Sequence, residues 1–146
     1  GDFVLWTKRR QPSYQLAVVV DDARQGVTRV VRGDDLLVSA ARQLMLYRAL
    51  GLKNEPRYLH LPLVRGEDGK RLAKRHGDTR LDTYRARGVR AERVIGLIHR
   101  WSFPDWRTRE RREVSVEEFR EALCLGTMSR EGVVFTREDD QWLCRD

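Results

Sequence analysis

Residues 14–22, Tyr14-Gln15-Leu16-Ala17-Val18-Val19-Val20-Asp21-Asp22 (YQLAVVVDD), decide how the first half of this chain is read. The run is too uniformly apolar for periodicity to choose between a buried strand and a buried helix. Its valines favour a strand by propensity. Upstream, Phe3-Val4-Leu5-Trp6 reads as a short strand, and Arg9 to Ser13 as a polar turn containing Pro12. Downstream, Val27 to Arg32 reads as a strand stopped by Gly33. Asp34 and Asp35 then open a helix, where anions suit the positive N-terminal end. Leu37, Ala40, Ala41, Leu44, Tyr47 and Leu50 keep helical spacing, and Gly51 fits the stop. Tyr58 to Val64 reads as a strand with Leu59, Leu61 and Leu63 on one face, and Pro62 forces an edge or a break.

Beyond Gly77 the texture becomes helical. Arg90 to Trp101 carries Val94, Leu97, Ile98 and Trp101 at the spacing of one helix face. Ser115-Val116-Glu117-Glu118 has the form of a capping box, and Val116, Phe119 and Leu123 extend an apolar face. Asp139 to Leu143 suits a last short helix. The order is strand, undecided run, strand, helix, strand, loop, helices. This is an α/β pattern, with too few strands for a self-sufficient doubly wound sheet.

The chain has 146 residues, 40% hydrophobic and 35% charged, with 29 cations against 22 anions. Residues 1–76 carry 15 cations and 8 anions, residues 77–112 carry 10 and 5, and residues 113–146 carry 4 and 9. A basic body with an acidic tail points to a polyanionic partner for the body. No apolar run reaches membrane-spanning length and no basic-then-apolar leader opens the chain, so the expectation is a soluble, cytoplasmic protein with no membrane partner. The two cysteines, Cys124 and Cys144, read as half-buried thiols, and a pair cannot alone close a zinc site. His60, His76 and His99 are scattered without companions at ligand spacing, so no metal site is expected.

One stretch concentrates charge against the interest of the fold. Gly69 to Asp78, GKRLAKRHGD, places Lys70, Arg71, Lys74 and Arg75 between two glycines. Only 4 of the cations in the chain are lysines, and two of them sit here. Glycines at both ends suggest a loop that bends and moves. Taken alone it is either a solvated basic turn or a phosphate clamp. Farther on, Arg107, Arg109, Arg111 and Arg112 lie beside Trp101 and Trp106, as a phosphate-contacting run or a solvated linker.

Several pieces, in order, resemble the class I aminoacyl-tRNA synthetases specific for glutamate, over the second half of their catalytic domain. They are YQLAVVVDD (14–22), GVTRVVRGDDLL (26–37), RYLHLPLV (57–64), RLAKR (71–75) and MSREGVVFTREDDQWL (128–143). VVRGDDLL is similar to the short members that glutamylate queuosine in tRNA-Asp, the glutamyl-Q tRNA(Asp) synthetases. The resemblance implies that residues 14–22 are helical. It implies that residues 1–77 form the second half of a Rossmann-like nucleotide-binding domain, carrying the loop of the Lys-Met-Ser-Lys-Ser signature. Residues 78–146 would form a helical region like the one that packs on the acceptor stem.

The implied activity is ATP-dependent activation of glutamate and its transfer to tRNA, with ATP and Mg2+ required. The expected partners are L-glutamate, ATP, tRNA-Asp and an N-terminal half of the catalytic domain, whose His-Ile-Gly-His signature has no match here. The family's lysine that meets ATP matches Lys74, with Arg71 and Arg75 as supports. Tyr14 and Arg32 match its glutamate-binding tyrosine and arginine. Arg71 and Ala73 depart from the usual lysine and serine of the signature, the first keeping charge and the second removing a hydroxyl. Two alternatives stand beside this expectation: part of an ordinary glutamyl-tRNA synthetase, or a non-catalytic basic RNA-binding remnant.

Overall fold

In the computed structural model, which describes residues 1–72 and 79–145, the valine run is helical. Helix α1 spans Tyr14–Gln25 and turns Val19 into a core with Leu46 and Tyr47. Val18 and Ala23 flank that contact, so the buried positions keep helical spacing although the valines do not. Gly26 ends the helix at φ 68°, and Val27 N–H donates to the Asp22 carbonyl at 2.9 Å. That left-handed residue turns the chain directly into β1 (Arg29–Gly33). Tertiary burial of one face thus overrides the strand propensity of three consecutive valines.

The chain divides into two compact units, Gly1–Leu61 and Pro62–Asp146. The boundary expected between residues 77 and 78 lies outside the described residues. In the first unit, β1 pairs in parallel with β2 (Arg57–Leu61), from Arg29 opposite Arg57 to Gly33 opposite Leu61. Parallel neighbours need a crossover, and α2 (Leu37–Ala49) supplies it. Asp34 and Asp35 do not cap α2 as expected. They sit in a 3-10 turn, Asp34–Leu36, and α2 starts after it with no side-chain cap. The strand expected at residues 3–6 shrinks to one bridge between Trp6 and Pro12. The turn between them is tight, with Arg10 at φ 56°, and leaves no length for a ladder.

Pro62 breaks the third expected strand. β2 stops at Leu61, and β3 (Val64–Arg65) pairs in parallel with β4 (Val133–Val134) of the second unit. That unit also holds α3 (Leu81–Ala86), α4 (Ala91–Trp101), α5 (Val116–Ala122) and α6 (Arg137–Leu143). Tyr84, Leu97 and Leu143 form its core, with Val94, Trp101, Phe135 and Trp142 against them. Of the expected face, Val94, Leu97 and Trp101 pack inward, whereas Ile98 is 45% exposed and its neighbours His99 and Arg100 are buried. His99 lies edge-on to Phe103 and Phe119, at 4.9 and 6.0 Å between ring centres, so α4 packs on two sides.

Ser115 caps α5 by accepting from Glu118 N–H at 3.1 Å. The box stays open, because the Glu118 carboxylate pairs with Arg112 instead. Val116, expected on the apolar face, is exposed. The complete capping box lies at Thr136 and Asp139. Both cysteines are exposed rather than half-buried.

Candidate functional site

Arg32 sits one residue before the end of β1, where an open parallel sheet presents its ligand-facing edge. Its guanidinium is held on three sides. Nη1 donates to Gln43 Oε1 at 2.8 Å, Nε to His60 Nε2 at 3.2 Å, and Nη2 to the Leu36 carbonyl at 3.1 Å. The Tyr58 ring lies under it, 5.0 Å from the guanidinium carbon. Gln43 is 1% exposed and passes the chain on, its Nε2 donating to Gln15 Oε1 at 2.9 Å. Gln15 Nε2 donates in turn to Ser39 Oγ at 3.0 Å. The path joins α1, α2, β1 and β2 through side chains alone. Among the described residues neither Asp34 nor Asp35 forms an ion pair with Arg32. Asp22 feels the Arg32 charge without an ion pair, and burial, then Asp21, push its carboxyl above the usual range.

Tyr14 opens α1 and is 55% exposed, so it is no core residue. Its side chain makes no hydrogen bond or ring contact among the described residues, with Arg32 or with any other. Gln15, Ser39, Gln43 and His60 were not singled out for a site in the sequence. One signal was available: Ser39, Gln43 and Tyr47 recur every four residues, so two polar residues fall on the buried face of α2.

In the second unit, the start of the basic loop is a built turn. Gly66 N–H donates to the Lys70 carbonyl and Gly69 N–H to the Gly66 carbonyl, each at 2.9 Å. Lys70 N–H donates to Asp68 Oδ1 at 2.9 Å, and Arg65 Nη1 to the Gly69 carbonyl at 3.1 Å. Gly69 has φ 72°, a left-handed position that glycine adopts without strain. Arg71 follows, exposed, in an antiparallel bridge with Arg65. Lys74 and Arg75 lie outside the described residues, as do Ala73 and His76.

The arginine run 107–112 is neither free nor merely solvated. Arg107 pairs with Glu131 at 2.5 Å, Arg109 with Asp105 at 2.7 Å, and Arg112 with Glu118. Arg111 reaches the buried Asp139 at 2.7 Å, and Asp139 also closes the capping box of α6. Among the described residues, no group of three or more His, Cys, Asp or Glu is placed to hold a metal ion. No described helix is long and apolar enough to cross a membrane.

Comparison with known proteins gives the family. A family model, tRNA synthetases class I (E and Q), catalytic domain, matches residues 1–142. The chain is 52% identical over 107 residues to a glutamyl-Q tRNA(Asp) synthetase of Rhodopirellula baltica, covering 70% of this chain and 31% of that one. It is 38% identical over 144 residues to a glutamate–tRNA ligase of Syntrophobacter fumaroxidans, covering 97% of this chain and 30% of that one. A crystal structure of a glutamate tRNA ligase from Elizabethkingia meningosepticum, in complex with its amino acid, superposes with a TM-score of 0.74 at 29% identity. It covers 97% of this chain and 31% of that one, so the chain spans about a third of the relatives it matches. The chain belongs to the class I tRNA synthetase (E and Q) catalytic-domain family.

Proposed function

We propose that this chain supplies the amino-acid-gripping and phosphate-facing parts of an ATP-dependent ligase that joins glutamate to tRNA. One observation carries the reading: Arg32 is aimed at a sheet edge by neutral partners, ready for a carboxylate. Two of its five N–H groups remain for a ligand after the three observed bonds. A guanidinium grips a carboxylate by two parallel bonds, which fixes orientation as well as charge. Tyr14 offers an exposed phenol for the same amino acid.

In such a reaction a glutamate carboxylate oxygen attacks the α-phosphorus of ATP, and pyrophosphate leaves with the electron pair of the broken P–O bond. A hydroxyl oxygen of the RNA then attacks the carbonyl carbon of the mixed anhydride and loses its proton, the ester forms, and AMP leaves with the electron pair of the broken C–O bond. The protein contributes position and positive charge where negative charge builds. Lys74 is the residue for that charge, with Arg71 and Arg75 beside it. Magnesium would accompany the nucleotide, and no step assigned to this chain depends on it. In this reading residues 1–77 belong to the second half of the catalytic domain, completed by its N-terminal half, and residues 78–146 meet the acceptor stem.

The acceptor we favour is queuosine of tRNA-Asp. The support is the 52% identity over 107 residues to a glutamyl-Q tRNA(Asp) synthetase, where a glutamate–tRNA ligase of Xanthobacter autotrophicus reaches 48% over 106 residues and that of Syntrophobacter fumaroxidans 38% over 144. The ordinary ligase is the second reading, because that match extends over 97% of this chain rather than 70%.

The test is ATP–pyrophosphate exchange with the complete catalytic domain, followed by locating labelled glutamate on the tRNA. Lys74→Ala should slow exchange about 100- to 1,000-fold, the usual loss for one aimed charge, while glutamate affinity holds. An unchanged exchange rate would remove Lys74 from the mechanism. Label at the 3′ end would move the acceptor to the ordinary ligase.

A further inference from the structure

We infer that Gln43 is the positioning residue for Arg32, and that its neutrality keeps the guanidinium charge uncompensated for a ligand carboxylate. The inference rests on reading Arg32 as the carboxylate grip, and adds how the fold aims that grip without spending its charge.

The hydrogen bonds run in one sense only. Arginine has donors and no acceptor, so Gln43 must turn its oxygen to Arg32. Its NH2 must then face Gln15, whose oxygen accepts and whose NH2 reaches Ser39. His60 receives the Arg32 Nε–H on Nε2, so that nitrogen carries no proton. The direction of every amide in the path is fixed by the arginine at its end. Because Gln43 is 1% exposed, each of its polar atoms needs a protein partner, and each has one. The path therefore holds the guanidinium by burial as well as by bonds.

Each partner of Arg32 is uncharged: an amide oxygen, an imidazole nitrogen, a backbone carbonyl and an aromatic face. A carboxylate at position 43 would hold the guanidinium more strongly. It would also satisfy the charge internally and remove the reason for a second carboxylate to bind. Among the described residues no carboxylate lies within ion-pair distance of Arg32. The acid that senses it, Asp22, forms no ion pair with it, and burial raises the carboxyl pKa above the ordinary value. The arrangement separates two jobs that an ion pair would merge, orienting the arginine and neutralising it.

The experiment follows the Arg32 side-chain 15Nε signal of the complete catalytic domain while L-glutamate is added, with thermal midpoints measured beside it. Gln43→Glu should keep a slowly exchanging Arg32 signal and a midpoint at or above wild type, yet bind glutamate at least tenfold more weakly. Gln43→Met, of similar volume, should release the Arg32 signal to faster exchange and weaken binding about two- to tenfold. A role confined to folding predicts otherwise: both variants lower the midpoint, and the folded fraction binds glutamate like wild type. That result would overturn the inference. Arg32→Lys separates it from the reading beneath. If Arg32→Lys binds glutamate like wild type, or wild type does not bind it, the carboxylate grip itself is wrong. If Arg32→Lys loses binding and Gln43→Glu does not, the grip stands and the neutral-positioning inference fails.

Discussion

His99 shows how one buried side chain makes stability depend on pH. It is buried on α4 against Phe103 and Phe119. Burial, then the Arg112 charge, push its pKa below the ordinary value, Arg109 adds to this, and Glu118 opposes it. A depressed pKa means the unfolded chain takes up the proton first. The stability contributed by neutral His99 is thus present above the ordinary histidine value of 6.5, and lost as pH falls from there toward the depressed value. Replacing it with a group that does not titrate should remove that loss. His99→Gln should flatten the fall in thermal midpoint between pH 7 and 5, whatever it does to the midpoint at pH 7. Equal slopes for the two proteins would show that other groups set the acid response. His99 was visible in the sequence only as an isolated histidine. Its burial follows from α4 packing on a second side, which a single apolar stripe does not reveal. The strand-end place of Arg32 was legible from its motif, but its partners were not, because they come from separate elements brought together by packing.

At the scale of elements, α4 is placed by a glycine. A Cβ on Gly96 would fall 1.9 Å from the Arg112 carbonyl oxygen and 3.5 Å from the Trp142 ring. Backbone, not a flexible side chain, occupies the space, so the segment around Arg112 would have to retreat. That segment carries Val114, whose N–H donates to the Glu92 carbonyl at 3.0 Å, and Glu113, which pairs with Arg93. Gly96→Ala should therefore destabilise the second unit by about 1–3 kcal/mol or more, as overpacking does, despite the better helix propensity of alanine. Urea unfolding measures it, and a midpoint equal to wild type would mean that the 112 segment yields freely. Elements with strong local punctuation were legible: β1 before Gly33, the break at Pro62, and α4. The valine run was not, since its helix is chosen by contact with Leu46 and Tyr47 across the unit. One capping signal was read from the sequence and a second was not. Ser115-x-x-Glu118 has the form of a box, but Arg112 draws the glutamate away, while Thr136-x-x-Asp139 closes fully.

On the scale of the whole molecule, the question is which cations remain for a polyanion. Residues 1–112 hold 25 cations and 13 anions, and the sequence treats all of them alike. The structure sorts them. Arg107, Arg109, Arg111 and Arg112 each have an acid. Lys8, Arg9 and Arg10 have none among the described residues, and stand exposed on the tight turn that follows the equally exposed Trp6. If the chain binds tRNA, affinity should fall steeply with salt, because each phosphate neutralised releases counterions. An unpaired cation brings its full charge to that exchange, whereas a paired one must first leave its acid. Replacing Lys8, Arg9 and Arg10 together with glutamine should reduce the log–log salt slope by about 2–3, the value for three lost phosphate contacts. Replacing Arg107 and Arg109 with glutamine should change it by less than one unit. Surface pairs contribute only about 0–1 kcal/mol, so neither replacement threatens the fold, and circular dichroism can verify this. Anisotropy titrations with tRNA at several salt concentrations give both slopes. If the Arg107 and Arg109 variant lost the larger share, the pairs would be breaking to meet phosphate, and pairing would be no guide to this protein's RNA-facing surface.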